Sequence, residues 1–360
     1  MIGKYNSIVG AITDDILSGK YVPLGPIPSE RMLMEKYGAA RATVRKALEI
    51  LDSQGMIYRS PGRTTVVSGS VTGAKKRIGV MISGCMYTEI FRAVCNEIGK
   101  LAERERVEAV FGDSSRNDFD HSGTEAYRIA KELVDKKIKG VILQPVQFSR
   151  SADEINRNLV RIFRDAGIEV VLIDCDFMRS PGRGDFDLVG IDNFNAGRLA
   201  ALHAIERGAK KITFVARKGC ADTVHERWHG VKSVSDRVPV EGLYLDSVSE
   251  YPQIRKALSR LQSIDTVICQ NDIAAMNVCT VLKSMGLNVP SDVMLIGFDD
   301  VVMASKLRPG LTTVHQPCDD IAEQAFHRLL ARIANPGLHP VRIQCRESLV
   351  VRGSTERLWR

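Results

Sequence analysis

The 360-residue chain has no stretch near the roughly 20 apolar residues of a membrane span, so a transmembrane helix is not expected. Its opening, MIGKYNSIVGAITDDILSGK, holds no long apolar run, and Asp14 and Asp15 interrupt it. That is not a secretory leader, and a soluble, cytoplasmic protein is expected. No C-x-x-C pair occurs. The eight cysteines (Cys85, Cys95, Cys175, Cys220, Cys269, Cys279, Cys318, Cys345) are scattered and mostly lie in apolar runs, which predicts reduced core thiols. The phosphate loop G-x-x-x-x-G-K-[ST], the dinucleotide turn G-x-G-x-x-G and the nucleophile elbow G-x-S-x-G are also missing. No bound cofactor and no enzyme activity are expected from these absences.

One chemical motif is present. TVHERWHG, Thr223 to Gly230, spells H-E-x-x-H. On a helix, His225 and His229 share one face and can hold zinc, with Glu226 as general base. Such a site also needs a third ligand and an open water position. No other histidine lies between His229 and His315, and Glu241 and Glu250 belong to no recognised pattern. A zinc hydrolase is therefore the weakest of the readings kept open.

Charge is unevenly spread. The net charge is +7, and residues 1–77 hold 12 Lys/Arg against 6 Asp/Glu, so nearly all the excess sits on the first fifth. Such asymmetry points to a polyanionic partner for that segment. There, an amphipathic helix is predicted from about Tyr5 to Leu17. Ser29 is placed to cap a second helix, ERMLMEKYG, closed by Gly38. A third helix, ARATVRKALEILDSQG, repeats Val44, Ala47, Leu48 and Leu51 at i, i+3, i+4 and i+7, with Arg45, Lys46 and Glu49 opposite. MIYRSPGRTTVV then reads as a hairpin around Ser60-Pro61-Gly62-Arg63. Three helices and a hairpin make a winged helix-turn-helix, whose third helix enters the DNA major groove. Arg59 and Arg63 on the hairpin are placed to reach a phosphate or the minor groove.

The stretch IPSERMLMEKYGAARATVRKALEILDSQGMIYRSPGRTTVV resembles the DNA-binding head of the GntR family of bacterial regulators over about residues 3–68. The resemblance implies DNA contacts at Glu30, Arg31, Arg41, Thr43 and Arg45, with Lys46 and Arg63 beside them and Gly62 at the wing tip. Two positions depart from the family pattern. Ala40 stands where a Ser or Thr cap is usual, a loss of roughly 1 kcal/mol, and Thr64 replaces the usual wing glycine. A different operator sequence is the expected consequence.

After a short linker, GSVTGAKK (69–76), Val/Ile/Leu-rich runs alternate with helix-length stretches. The runs are RIGVMI, VEAVFGD, KGVILQP, EVVLIDC, LVGID, KITFVAR, TVICQND and VMLIGFDD. This is α/β with doubly wound parallel sheets, and so many strands imply two sheets or a barrel. Ligands bind outside the carboxyl ends of such strands. Those ends are polar: Asp174 and Asp176, Asp192 and Asn193, Asn271 and Asp272, Asp299 and Asp300. Carboxylates and amides there suit a hydroxyl-rich ligand, and Arg227 adds a forked donor. Helix capping is the competing reading for each, Asn193 and Asp272 in particular.

VGIDNFNAGRLAALHAIERGAKKITFVA, QNDIAAMNV, PSDVMLIGFDD and LRPGLTTVHQP resemble the effector domain of the LacI/GalR repressors, relatives of periplasmic sugar-binding proteins, from about Arg77 to Ser354. A GntR-like head on such a body is the arrangement of the arabinose-repressor subgroup. The resemblance implies a two-lobed, type I periplasmic-binding-protein-like domain at 77–360. Lobe one is expected at about 77–175 and 303–335, lobe two at about 176–302 and 336–355, joined by three crossings. Implied effector contacts are Tyr87, Gln144, Asp174, Asp176, Asp192, Asn271, Asp299 and Arg227. In that family the helix after the KITFVA strand carries an Arg and, three residues on, a Gly, here Arg227 and Gly230, so HERWH is explained without zinc. Trp228 is left as either packed core or cleft wall. The expected function is a homodimeric transcriptional repressor on a palindromic double-stranded operator, controlled by a small sugar. The alternatives are a cytoplasmic small-molecule-binding protein without DNA function, and the zinc hydrolase.

Overall fold

The computed structural model describes residues 4–22, 24–59, 64–68, 76–82, 88–112, 123–147, 151–178 and 182–357. The chain divides into two compact units, residues 1–77 with 102–108, and residues 78–101 with 109–360.

The head begins with α1 (Lys4–Leu17), α2 (Glu30–Tyr37) and α3 (Arg41–Ser53). Ile8, Ile12 and Ile16 recur every fourth residue and lie buried against Leu33, Val44, Ala47, Leu48 and Leu51. Burying each such aliphatic side chain contributes about 1.5–3 kcal/mol, which offsets the low intrinsic helicity of pieces this short. The Ser29 hydroxyl accepts from the Met32 amide, and Gly38 closes α2 at φ 53°, a left-handed turn suited to glycine. Ala40 gives α3 no side-chain cap. Strands β1 (Ile57–Tyr58) and β2 (Val66–Val67) pair antiparallel. The expected turn with Gly62 and Arg63, and linker residues 69–75, lie outside the described residues.

In the body, β3 (Arg77–Met81), α4 (Glu89–Arg104), β4 (Glu108–Phe111), α5 (Thr124–Asp135), β5 (Gly140–Leu143), α6 (Ala152–Asp165), β6 (Glu169–Ile173) and β7 (Asp187–Gly190) come first. Next are α7 (Asn193–Glu206), β8 (Ile212–Arg217), α8 (Asp222–Lys232), β9 (Val240–Leu245), α9 (Tyr251–Leu258), β10 (Thr266–Cys269), α10 (Asp272–Ser284) and β11 (Met294–Asp299). Then follow α11 (Val302–Lys306), β12 (Thr312–His315), α12 (Cys318–Ala334), β13 (Arg342–Gln344) and β14 (Ser348–Val350). They form two six-stranded sheets, ordered β13-β7-β6-β5-β3-β4 and β14-β12-β11-β10-β8-β9. The central pairs are parallel, and β14 is an antiparallel edge.

The lobe boundaries differ from the sequence expectation at three places. Strand β7 pairs with β6, so lobe one runs on to Gly190 rather than ending near 175. Strand β12 pairs with β11, which puts α11 and residues 303–315 in lobe two. Strand β13 pairs with β7 and returns to lobe one, whereas 336–355 was expected in lobe two throughout. The reason is partly electrostatic. Asp187, fully buried at the start of β7, is held by Arg328 at 2.9 Å and Arg332 at 2.5 Å, both from α12. Removing one partner of such a pair strands a buried charge. The described chain thus passes between the sheets near 190–192, 315–318 and 344–348.

Among the described residues six cysteines are free thiols, five of them buried. Cys95 is disulfide-bonded, so the expectation of reduced thiols throughout does not hold there. No described helix is long and apolar enough to cross a membrane.

Candidate functional site

In the head, Glu30 at the start of α2 gathers three arginines. Its Oε2 accepts from Arg41 Nε at 3.2 Å, and its Oε1 accepts from Arg59 Nη2 at 2.9 Å, with Arg45 Nε at 3.9 Å. The cluster joins α2, α3 and β1 on one face, and Arg41 and Arg45 stay largely exposed. Arg31 is almost fully exposed and pairs with Glu35 at 3.5 Å. Thr43 sits half-buried on the first turn of α3, its amide bonded to the Ala40 carbonyl. Lys46 turns elsewhere and lies 4.5 Å over the Tyr5 ring of α1, so the structure does not group it with the others. Arg59 is the member whose partner the sequence did not reveal; an Arg opposite a helix-start Glu was the available signal.

In the body, the carboxyl ends of the strands bring together Gln144 after β5, Asp174 after β6, Asp299 at the end of β11, and Arg227 on α8. Arg227 is 5% exposed. Its Nε donates to Asn193 Oδ1 at 2.9 Å, and its Nη1 donates to the Gln270 carbonyl at 2.8 Å and lies 3.7 Å from Asp299 Oδ1. Its guanidinium also stacks 4.8 Å over the Phe298 ring. Asp174 Oδ2 accepts from Gln147 Nε2 at 3.0 Å and Gln144 Nε2 at 3.4 Å. Asp299 Oδ1 accepts from Gln316 Nε2 at 2.7 Å.

Asp174 and Asp299 have positive φ of 72° and 107°, and Asp300 follows at 54°. Left-handed backbone at non-glycine residues is strained and collects at ligand clamps. Burial pushes the Asp174 carboxyl above the usual range, against the pull of Arg227 and the two glutamines. Burial pushes Asp299 up to about 6, opposed by Arg227 and Gln316 and reinforced by Asp174. A cavity of about 380 Å³ adjoins Asp299, lined also by Glu89, Ile90, His315, Gln316 and Cys318. At its edge the two lobes touch, the Val302 amide donating to Glu89 Oε1 at 2.6 Å.

Glycines fix the position of Arg227. A Cβ on Gly230 would fall 1.9 Å from the Phe194 carbonyl oxygen, and one on Gly197 would fall 2.0 Å from the Arg227 carbonyl oxygen. Helices α7 and α8 therefore cross in backbone contact, which holds Asn193 beside Arg227. The neighbouring Trp228 packs away from the cleft, its ring 5.6 Å from Phe214 and 6.3 Å from Tyr244.

Three other expected contacts have local work. Asp192 caps α7 through the Asn195 amide at 2.9 Å, and Asn271 caps α10 through the Ala274 amide at 3.0 Å. Asp176 closes its own loop, accepting from the Met178 and Gly184 amides at 3.0 Å each. The caps thus fall one residue before the positions favoured from sequence. Asn193 and Asp272 are instead buried in the helix first turns. Asp272 accepts from the Thr313 hydroxyl at 2.6 Å and the Val301 amide at 3.0 Å, and burial pushes it up to about 7. Tyr87 lies outside the described residues. Sequence reasoning missed Gln147 and Gln316 as partners, although QPVQ and HQP do follow strands, and it named Asn193 at a strand end without its bond to Arg227.

HERWH does sit on α8, but His225 Nε2 contacts Cys220 Sγ at 3.7 Å and its ring stacks on Tyr244. Among the described residues, no group of three His, Cys, Asp or Glu side chains is placed to hold a metal ion.

This two-lobed body with a strand-end cleft is the periplasmic-binding-protein-like class. Residues 201–355 match the periplasmic binding protein-like domain, and residues 4–67 match the bacterial regulatory proteins of the gntR family. The arabinose metabolism transcriptional repressor of Geobacillus stearothermophilus is 25% identical over 370 residues, spanning 99% of this chain and 98% of that protein. The HTH-type transcriptional repressor PurR of Mannheimia succiniciproducens is 27% identical over 316 residues, spanning 86% and 89%. A solved LacI family transcriptional regulator from Enterococcus faecium, with bound ribose, superposes with a TM-score of 0.64 at 23% identity, covering 79% of this chain and 100% of that one. That last likeness establishes the fold. The chain joins a GntR-type helix-turn-helix domain to a periplasmic-binding-protein-like domain.

Proposed function

We propose that this protein is a DNA-binding transcriptional repressor whose grip on its operator is controlled by a small polyhydroxylated metabolite bound between the lobes. One observation carries the effector reading. Arg227 and Asp299 of lobe two converge with Asp174 of lobe one, while the Gln144 and Gln147 amide oxygens are buried there with no donor among the described residues. Buried acceptors without donors are costly, and ligand hydroxyls supply what they lack. The likeness to named repressors and to a ribose-bound regulator supports the same reading.

In the head, Arg31, Arg41, Thr43 and Arg45, with Glu30 arranging two of those arginines, meet bases and phosphates of duplex DNA, and Gly62 and Arg63 serve the wing. Two such heads in a cytoplasmic homodimer read a palindromic operator. Effector closes the cleft, turns lobe one and alters the spacing of the heads. It must bind the operator-competent and incompetent states differently, and a tenfold release needs a coupling of about 1.4 kcal/mol. No membrane partner, metal or cofactor enters.

The test is a gel shift on the DNA upstream of the coding sequence, with and without a sugar panel, for wild type and Arg227→Ala. The expected result is a salt-sensitive shift that one sugar relieves in the wild type only. A shift absent at low salt removes the DNA role, and relief that survives Arg227→Ala removes the effector site.

A further inference from the structure

Helix α4 closes on an unusual residue. Arg106, just past its end, has φ 56°, in the left-handed region where a helix-closing residue is ordinarily glycine. The Arg106 amide donates to the Glu103 carbonyl at 3.2 Å and the Val107 amide to the Ala102 carbonyl at 2.8 Å, so the helix turns back on itself around this residue. An arginine is strained there, and glycine would serve the backbone better. The side chain supplies the reason. Arg106 Nη1 donates to the Asp52 carbonyl oxygen at 2.5 Å. Asp52 lies in the last turn of α3, whose own closing residue is Gly55 at φ 73°. The Gly55 and Met56 amides return to the Asp52 and Leu51 carbonyls, both at 2.9 Å. A Cβ on Gly55 would fall 3.1 Å from Arg106 Nη1. Two helix C-termini thus meet through one guanidinium, whose charge suits the negative end of α3. Residues 102–108 belong to the same compact unit as residues 1–77.

The other end of α4 borders the cleft. Its first residue, Glu89, lines the cavity beside Asp299, and Glu89 Oε1 accepts from the Val302 amide of lobe two. From Glu89 to Arg104 the helix runs unbroken for 16 residues, about 24 Å at the α-helical rise. Val94, Ile98 and Leu101 bury one side of it in lobe one, so it moves as a stiff piece. Building on the repressor reading above, we propose that α4 is the rod that carries the effector's signal. Closure moves Val302 and with it Glu89, and Arg106 passes the shift to α3, the helix that reads DNA. This route runs alongside linker 69–76. Arg106 touches neither effector nor DNA; it positions the helix that meets the DNA.

Gel shifts on the full chain test this, with the DNA upstream of the coding sequence and with L-arabinose, D-ribose and cellobiose as probes. Arg106→Gly removes the guanidinium and gives the left-handed position its usual residue, so its Tm is expected to hold or rise, which certifies the fold. Its DNA affinity is expected to stay within about twofold of wild type, while release by sugar falls from about tenfold to under about twofold. Arg106→Lys keeps a charged donor and is expected to retain part of the release. Release of Arg106→Gly as full as that of wild type overturns the proposal. So does a fall in its Tm or its DNA affinity, which would make Arg106 a structural brace. If none of the three sugars releases the wild type, hydrogen exchange decides. Linkage then requires DNA to alter exchange of the Val302 amide, which Glu89 holds, in wild type and not in Arg106→Gly. Unaltered exchange in wild type overturns the proposal. A chain that binds no DNA at low salt removes the repressor reading and the proposal together, whereas Arg106→Gly released like wild type sinks the proposal alone.

Discussion

Gly230 of α8 and Phe194 of α7 approach so closely that a Cβ on the glycine would sit 1.9 Å from the phenylalanine carbonyl oxygen. The atom in the way is backbone, so the two helices must part to admit any side chain. Gly230→Ala is expected to cost about 1–3 kcal/mol in stability through overpacking. It should also move Arg227 off Asn193. Thermal denaturation and effector calorimetry read the two effects, and an unchanged effector affinity would show that this crossing does not set Arg227.

Arg227→Lys keeps the charge and loses the fork. A lysine cannot serve Asn193 and the Gln270 carbonyl in the same plane. The expected result is effector binding weakened about tenfold or more with the operator shift retained. Full effector binding by the lysine variant would assign the role to charge alone.

Glu30 holds Arg41 and Arg59 in the free head, with Arg45 near them. Glu30→Ala removes the anchor and adds one unit of positive charge at the groove. Affinity for random DNA should rise or hold, since phosphate attraction grows. Affinity for the operator should fall relative to random DNA by about tenfold, on the scale of one lost base-reading geometry. Competition gel shifts measure the ratio, and an unaltered ratio would make the cluster a surface ion network only.

Acid stability should report Asp272. Its folded pKa of about 7 lies above the ordinary value of 3.8. The fold therefore keeps a proton that the unfolded chain gives up. Stability from this group is complete below about pH 4 and is lost as pH rises through 7, and Asp299 adds a similar loss through about 6. His203, whose pKa burial lowers, works the other way at the acid end. In Asp272→Asn, the amide oxygen can accept from Val301 and the amide nitrogen can donate to Thr313. Relative to the wild type, this variant should gain in Tm from pH 5 to pH 8. A Tm difference that stays constant with pH would mean Asp272 is ionised throughout.

Strands and helices were legible because burial writes itself into periodicity: RIGVMI, KGVILQP and VMLIGFDD are β3, β5 and β11. The head was legible down to the Ser29 cap and the uncapped Ala40. Pairing partners were not legible. Nothing local in LVGID tells β7 to join β6; that follows from Asp187 meeting two arginines some 140 residues later. The cleft was half legible. Asp174, Asp299, Arg227 and Gln144 do converge, whereas Asp192 and Asn271 proved to be caps because a short oxygen side chain before a helix satisfies the nearest amide first. Gln147 and Gln316 escaped notice because their value depends on which side chain lies across from them.

Gln316 belongs to the middle crossing, between β12 of one lobe and α12 of the other, and its amide is tied to Asp299. On the effector reading proposed above, a guest that competed for that carboxylate would loosen the pivot directly, with no relay of side chains between. Recognition and leverage would then share one oxygen atom, so a change that tuned the taste of this pocket would also change the stiffness of its joint.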